Sequence, residues 1–153
     1  MRNKKIKLLA VASIGGHWKQ LLRILPPTYD DVEKIYVSTH PKCEKMVENN
    51  KFYSIDDFSR WNVYKIIPVF FQGIKILYKE TPTALITTGA APGLILLFVA
   101  KIFRIKTFWI DSVANVQALS LSGKLASKFA TRTYTQWSEL SSDNILYVGN
   151  IFE

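Results

Sequence analysis

Along the chain, apolar runs of strand length alternate with stretches whose apolar residues recur every three or four positions. Lys5–Ala12 is a mostly apolar run that suits a buried parallel strand. The period changes over His17–Leu25, where Trp18, Leu21, Leu22 and Leu25 share one helical face, and Pro26-Pro27 ends the helix. Lys34–Ser38 reads as a second strand; Cys43, Met46 and Val47 mark a short helix, and Phe52–Ile55 a brief strand. A longer helix is predicted from Asn62 to Tyr78, interrupted or kinked at Pro68. Val63, Ile66, Ile67, Phe70, Ile74 and Leu77 form its apolar stripe, with Tyr64, Lys65, Phe71, Lys75 and Tyr78 on the other side. Ala84–Thr88 is a strand, Gly89-Ala90-Ala91 a turn, and Pro92 fits the first position of a helix running to Phe103. Thr107–Ile110 follows as a strand. Ser122 then caps a helix with Leu121, Leu125 and Phe129 inward and Lys124 and Lys128 outward. Thr131–Thr135 and Ile145–Val148 complete the strands.

This alternation predicts one α/β domain over residues 1–153, an open parallel sheet with helices on both faces. Ligands of such sheets sit beyond the carboxyl ends of the strands. Three loops are thereby singled out: Ser13–Gly16, Thr88–Gly93 and Asp111–Asn115. In the first, Gly15 and Gly16 let the backbone approach a ligand, and amides at a helix start attract an anion. His17 stands where an imidazole contacts a phosphate or takes a hydroxyl proton. A tight turn with a surface histidine uses the same residues, and spacing does not separate the two. Gly89, Ala90, Ala91 and Gly93 repeat the arrangement, either to cradle a diphosphate with the first loop or to let strand and helix pack closely. Asp111, with Ser112 and Asn115, either binds a sugar hydroxyl and orients a base or caps the next segment.

Composition narrows the setting. The 153 residues are 48% hydrophobic and 21% charged, a globular balance, and the net charge of +8 points to an anionic partner. A single cysteine, Cys43, builds neither a disulfide framework nor a zinc site, and His40 beside it is poor evidence for metal. The basic start, Arg2, Lys4, Lys5 and Lys7, is followed by only five apolar residues, short of the ~7–15 of a signal peptide. Thr81–Ala100 carries no charge, but Pro82, Gly89, Pro92 and Gly93 break it, and a bilayer span needs ~20 apolar residues. A dinucleotide site is disfavoured because the first loop lacks G-x-G-x-x-G and the second strand ends Ser38-Thr39-His40 with no acidic residue for a ribose. Ser122-Gly123-Lys124-Leu125 is no P-loop, and there is no G-x-S-x-G elbow.

The helix Leu94–Ala100 is apolar all round and ends in Lys101, Arg104 and Lys106. With Trp61, Tyr64, Phe71 and Lys75 before it, and Leu97 and Phe98 on it, this resembles a surface seated in an anionic bilayer. A protein interface or an ordinary core accounts for the same residues. Nucleic acid is set aside, since the cations are dispersed and no binding motif is present.

Several segments, in order, carry a family resemblance: Ala12-Ser13-Ile14-Gly15-Gly16-His17-Trp18 with Gln20-Leu21-Leu22; Thr87-Thr88-Gly89-Ala90-Ala91-Pro92-Gly93; Trp109-Ile110-Asp111-Ser112; Leu119-Ser120-Leu121-Ser122-Gly123; Thr135-Gln136-Trp137; and Tyr147-Val148-Gly149-Asn150. The chain resembles bacterial capsule and exopolysaccharide biosynthesis proteins similar to the acceptor-side subunit of the eukaryotic two-chain N-acetylglucosaminyltransferase of dolichol-linked oligosaccharide assembly. That resemblance implies a Rossmann-like domain, the amino-terminal half of a GT-B glycosyltransferase, ending where a second half would begin.

The implied function is the acceptor-binding, membrane-associating subunit of an inverting glycosyltransferase. Its expected partners are a sugar-nucleotide-binding subunit, a polyprenyl-diphosphate-linked saccharide and the cytoplasmic membrane surface, with no cofactor or metal. His17 is the first expected base and Asp111 the second. Ser13, Gly15, Gly16, Gly89, Ala90, Ala91, Gly93, Ser112 and Asn115 would shape the diphosphate site, and Gly149, Asn150, Ile151 and Phe152 would meet the partner. The eukaryotic subunit has an amino-terminal membrane helix without a counterpart here, which puts attachment on the apolar, basic surface or on the partner. The alternative is a non-catalytic activator tethering a transferase that holds the whole active site.

Overall fold

A computed structural model of the chain describes residues 5–153, so Arg2 and Lys4 of the basic start lie outside it. The elements follow in the order β1 (Lys7–Val11), α1 (Gly16–Ile24), β2 (Glu33–Ser38), a 3-10 helix (Pro41–Val47), β3 (Lys51–Ser54) and α2 (Ile66–Glu80). Then come β4 (Ala84–Thr87), α3 (Ala91–Ile102), β5 (Lys106–Ile110), α4 (Leu121–Ala126), β6 (Arg132–Thr135) and β7 (Leu146–Tyr147). All seven strands pair in parallel in one Rossmann-like sheet, ordered β3-β2-β1-β4-β5-β6-β7. The chain builds outward from β1 in one direction, then crosses back to β4 and builds in the other. Right-handed crossovers therefore put α1 on one face and α2, α3 and α4 on the other.

Two cores result. Ala10, Ala12, Trp18, Leu21, Tyr36 and Cys43 pack beneath α1, where the Trp18 ring meets Tyr36 edge-on at 5.9 Å between centroids. Across the sheet, Leu9, Val11, Ile35, Val37, Leu85 and Trp109 meet the inner sides of α2 and α3. Alternation along each strand supplies both faces, which is why these strands read as continuous apolar runs.

Four expectations from the sequence are corrected. On α2 the buried positions are Val69, Gly73, Ile76, Leu77 and Glu80, whereas Val63 and Ile67 are 57% and 62% exposed. The helix is apolar on both sides, so its period could not choose a face; close contact with α3 at Gly73 does, since a Cβ there would lie 3.3 Å from Leu96 Cδ1. The predicted helix is broken two residues before Pro68, where a 3-10 turn (Val63–Lys65) gives way to α2 at Ile66; Pro68 itself lies in the first turn of α2, where its missing N–H is not needed. Leu97 is wholly buried and leaves the expected membrane surface: α3 is sandwiched between sheet and neighbouring helices. On α4 the inward residues are Gly123 and Ala126, Leu121 and Leu125 point outward, and the cap is Ser120 rather than Ser122.

At the amino ends of the strands, opposite the candidate loops, Glu80 closes α2 onto the sheet. Its carboxylate is 2% exposed and accepts Lys51 Nζ at 3.1 Å on each oxygen, with Lys7 Nζ at 3.7 Å and the Tyr53 hydroxyl also bound. Burial pushes its pKa up, but the Tyr53 hydrogen bond and the two lysines outweigh burial and hold the carboxyl below the usual glutamate value. Tyr53 is in turn pushed up to about 12, by burial and by the carboxylate. A carboxyl with a lowered folded pKa stabilises the fold above its unfolded pKa, and that contribution fades as pH falls through the folded value. Glu80→Gln should therefore cost about 1.5–3 kcal/mol at pH 7 in urea unfolding. The gap from the parent protein should close on acidification below the ordinary glutamate range.

Candidate functional site

The strand order reverses between β1 and β4, and at their carboxyl ends the first two candidate loops lie side by side. They are stitched together. Ser13 N–H donates to the Gly89 carbonyl at 3.3 Å, and the Thr88 hydroxyl donates to the His17 carbonyl at 2.7 Å. His17 Nδ1 lies 2.8 Å from the Thr88 carbonyl oxygen. A carbonyl only accepts, so Nδ1 carries the proton and Nε2 of the neutral ring presents its lone pair. This is the arrangement a general base needs: one nitrogen held by the backbone, the other free.

Glycine is required at both sides of the crevice for different reasons. Gly89 has φ +117°, and a Cβ there would come within 2.8 Å of the His17 ring. Gly15 has φ +104° and opens α1 with nothing within 4 Å of its missing side chain. Neither α1 nor α3 has a side-chain cap or an acidic residue in its first turn. Two helix amino ends with free amides thus point into one crevice, a setting that favours an anion. Ala90 and Ala91 line this edge, half-buried. Gly93 is buried and serves packing, because a side chain would collide with the Thr87 hydroxyl. Ser13 is buried with no hydrogen-bond partner for its hydroxyl.

The third loop is organised differently. Asp111 is 2% exposed, and Oδ1 accepts from Trp109 Nε1 at 3.0 Å and the Ser120 hydroxyl at 2.6 Å. Oδ2 accepts from Asn115 Nδ2 and the Ser120 N–H, both at 3.0 Å. Four donors fill a carboxylate's capacity. Asp111 is therefore an internal anchor rather than a second base; Asn115 turns inward to it, while the Ser112 hydroxyl makes a local bond, accepting from Ala114 N–H. The cap of α4 itself is Ser120, which Asp111 holds in place through both its N–H and its hydroxyl.

Two side chains without an assigned role tie the regions together. Gln20, buried on α1, donates to the Asp111 carbonyl at 3.0 Å and accepts from Val113 N–H at 3.1 Å. Trp137 Nε1 donates to the Val113 carbonyl at 2.8 Å. Gln20 carried a faint signal, as a polar residue next to the apolar stripe of α1. Trp137 stood out only as part of the Thr135-Gln136-Trp137 segment, which gave no hint of its partner, a backbone atom far away in sequence.

The remaining expected residues lie apart from this crevice. Trp61, Tyr64, Phe71, Lys75, Phe98, Lys101 and Arg104 are exposed on the α2–α3 side. Gly149, Asn150 and Ile151 line a cavity of about 710 Å³ with Arg23, Ile110 and Gln136. Gln136 accepts from Ile151 N–H at 3.0 Å, and the Arg23 guanidinium lies over the Phe152 ring at 5.5 Å. The sheet face beside this cavity carries Phe108, Ile110 and Tyr134, all half-buried, since α1 does not reach that far. Among the described residues, no three His, Cys, Asp or Glu side chains gather as metal ligands would, and no helix is long and apolar enough to cross a membrane.

Comparison with known proteins places this geometry. The family described as "Oligosaccharide biosynthesis protein Alg14 like" matches residues 32–151. The UDP-N-acetylglucosamine transferase subunit ALG14 of Yarrowia lipolytica is 24% identical, over 88% of this chain and 75% of its own length. The subunit of the same name from Cryptococcus neoformans is 35% identical over 42% of this chain and 31% of its own. Among solved structures, Acinetobacter baumannii MurG superposes with a TM-score of 0.77 at 14% identity, over 94% of this chain and 45% of that one. A UDP-N-acetylglucosamine 2-epimerase from Rickettsia bellii gives 0.74 at 12% identity, over 97% and 46%. At such identities the two structures establish the fold. The chain spans a little under half the length of each.

Gly123 and Asp111 offer a direct check on the anchor. A Cβ on Gly123 would lie 2.5 Å from Asp111 Oδ1, so Gly123→Ala should destabilise by about 1–3 kcal/mol. Asp111→Ala, which strands four donors, should cost at least about 3 kcal/mol in urea denaturation.

Proposed function

The chain belongs to the Alg14-like family of oligosaccharide biosynthesis proteins, and from that premise we propose that it is the acceptor-binding subunit of a two-chain inverting glycosyltransferase acting on a polyprenyl-diphosphate-linked saccharide. The observation that carries this reading is the His17–Thr88 clamp between two uncapped helix amino ends. Diphosphate oxygens accept from the free amides at Gly15–Gly16 and Ala90–Ala91. The acceptor hydroxyl gives its proton to His17 Nε2 as its oxygen attacks the anomeric carbon. The nucleoside diphosphate leaves from the opposite side of the sugar, inverting the centre.

The sugar nucleotide is held by the partner chain. Its docking place is the cavity at Gly149–Phe152 together with the uncovered sheet face at Phe108, Ile110 and Tyr134. A half-buried apolar sheet face next to a cavity is the kind of surface that association covers. The relatives' name, UDP-N-acetylglucosamine transferase subunit, makes UDP-N-acetylglucosamine the first donor to try. Capsule or exopolysaccharide assembly is the setting, at the cytoplasmic face of the membrane, with this chain attached peripherally.

The test is transfer by the chain co-purified with a candidate partner, by the partner alone, and by each variant pair. Strict dependence on both chains supports the split site. Full turnover by the partner alone on a soluble acceptor would instead identify a tether. His17→Ala should lower kcat of the pair by about 10²–10⁴-fold. Its thermal unfolding should stay near that of the parent protein. Ile151→Asp should reduce co-purification of the partner while leaving the melting temperature of the isolated chain within a few degrees.

A further inference from the structure

The α2–α3 side of the sheet has an uneven charge distribution. Between Phe58 and Ser138 the chain carries ten Lys and Arg but only two carboxylates, Glu80 and Asp111. Both carboxylates are 2% exposed and fully engaged, Glu80 by lysines and a tyrosine, Asp111 by four donors. Of the ten cations, only Lys65 is half-buried; the others are exposed. This helical layer therefore presents a large excess of positive charge; the exposed acids beside it are Asp56 and Asp57, with Asp56 N–H donating to Gln72 Oε1 of α2.

The same layer exposes apolar side chains in register. On the outer side of α2 and the turn before it, Tyr64, Ile67, Phe71 and Tyr78 are 70%, 62%, 62% and 77% exposed. Their spacing of three, four and seven keeps them on one stripe. Trp61 precedes them at 84% exposure, with the Arg60 guanidinium 5.1 Å from its ring. On α3, Phe98 and Ile102 continue the surface, at 47% and 56%. These residues are not a core that failed to close, because α2 already buries Val69, Ile76 and Leu77 on its opposite side.

From these observations we infer that the α2–α3 layer docks flat on an anionic lipid bilayer, with the α2 stripe in the headgroup–acyl boundary and the surrounding cations on lipid phosphates. The inference deepens the membrane part of the reading above and rests on it. Aromatic residues flanked mainly by Lys and Arg match the chemistry of that boundary. A second copy of this chain is a poor occupant, because two faces with so large an excess of positive charge repel each other. The orientation also has a use. α2 and α3 both start at the carboxyl edge of the sheet, and the Ala90–Ala91 turn opens α3. Docked this way, the crevice lies at headgroup level, where a diphosphate with its polyprenyl tail in the bilayer would present itself.

Vesicle flotation with the full chain tests this, using phosphatidylcholine alone and phosphatidylcholine with phosphatidylglycerol, neither containing a saccharide lipid. Binding to the anionic vesicles should exceed binding to the neutral ones by at least roughly tenfold and weaken as salt rises. Trp18 and Trp109 are buried and Trp137 is half-buried with its N–H bound to the Val113 carbonyl, so a blue shift of tryptophan emission on binding should come mainly from Trp61 and vanish in Trp61→Phe. Tyr64→Ser with Phe71→Ser, and separately Lys75→Glu with Lys79→Glu, should each reduce binding at least roughly tenfold with unchanged circular dichroism. Equal binding to both vesicle types, undiminished binding by both variants, or self-association through this face without vesicle binding would overturn the inference. Because no transfer is measured, intact vesicle binding beside transfer that needs only the partner would sink the split-site reading alone.

Discussion

Two hydrogen bonds between His17 and Thr88 hold the functional edge of this molecule together. They exist because β1 and β4 are neighbours, and those strands are neighbours because the chain reverses its direction of growth across the sheet there. A crevice opens wherever that reversal occurs, since the connections from the two strands depart toward opposite faces. In this protein the crevice is closed at its base by backbone-to-backbone and side-chain bonds and left open at its rim by glycine. The imidazole is thereby fixed in one tautomer before any ligand arrives, which reduces the reorganisation that a proton transfer would need.

The surrounding structure keeps that edge rigid. Gln20 joins α1 to the loop after β5, and the Asp111 carboxylate gathers Trp109, Asn115 and Ser120 into one knot. At the far end of the strands, Glu80 does the equivalent for α2, Lys51 and Tyr53. Both buried carboxylates thus act as fasteners, and their burial has an electrostatic consequence. With Glu80 and Asp111 turned inward, the helical layer they stabilise presents mostly cations to its surroundings. Stability and the shape of the external field come from the same pair of residues.

Three surfaces divide the work proposed for the chain: the crevice for the acceptor diphosphate, the α2–α3 layer for the bilayer, and the exposed side of β5 and β6 with the 149–152 segment for the partner. They meet along the carboxyl edge of the sheet rather than overlapping. A lipid-linked acceptor and a soluble sugar nucleotide come from opposite directions, so a subunit that sits between membrane and partner needs this separation.

Strand and helix alternation, the loops at strand ends and the Gly-Gly-His turn were all legible in the sequence, because each depends on residues near one another in the chain. Local steric rules and apolar period suffice for those. The face that α2 buries was not legible, since apolar residues occupy both sides of it and only the close approach of α3 at Gly73 selects one. Nor was the fate of Asp111, whose four donors come from residues 109 to 120 but converge only when α4 folds back over β5. Leu97 and Phe98 are adjacent apolar residues in the same helix, one wholly buried and the other 47% exposed. Composition treats them alike; the neighbours that cover one and not the other are contributed by distant segments, and only tertiary packing brings those into place.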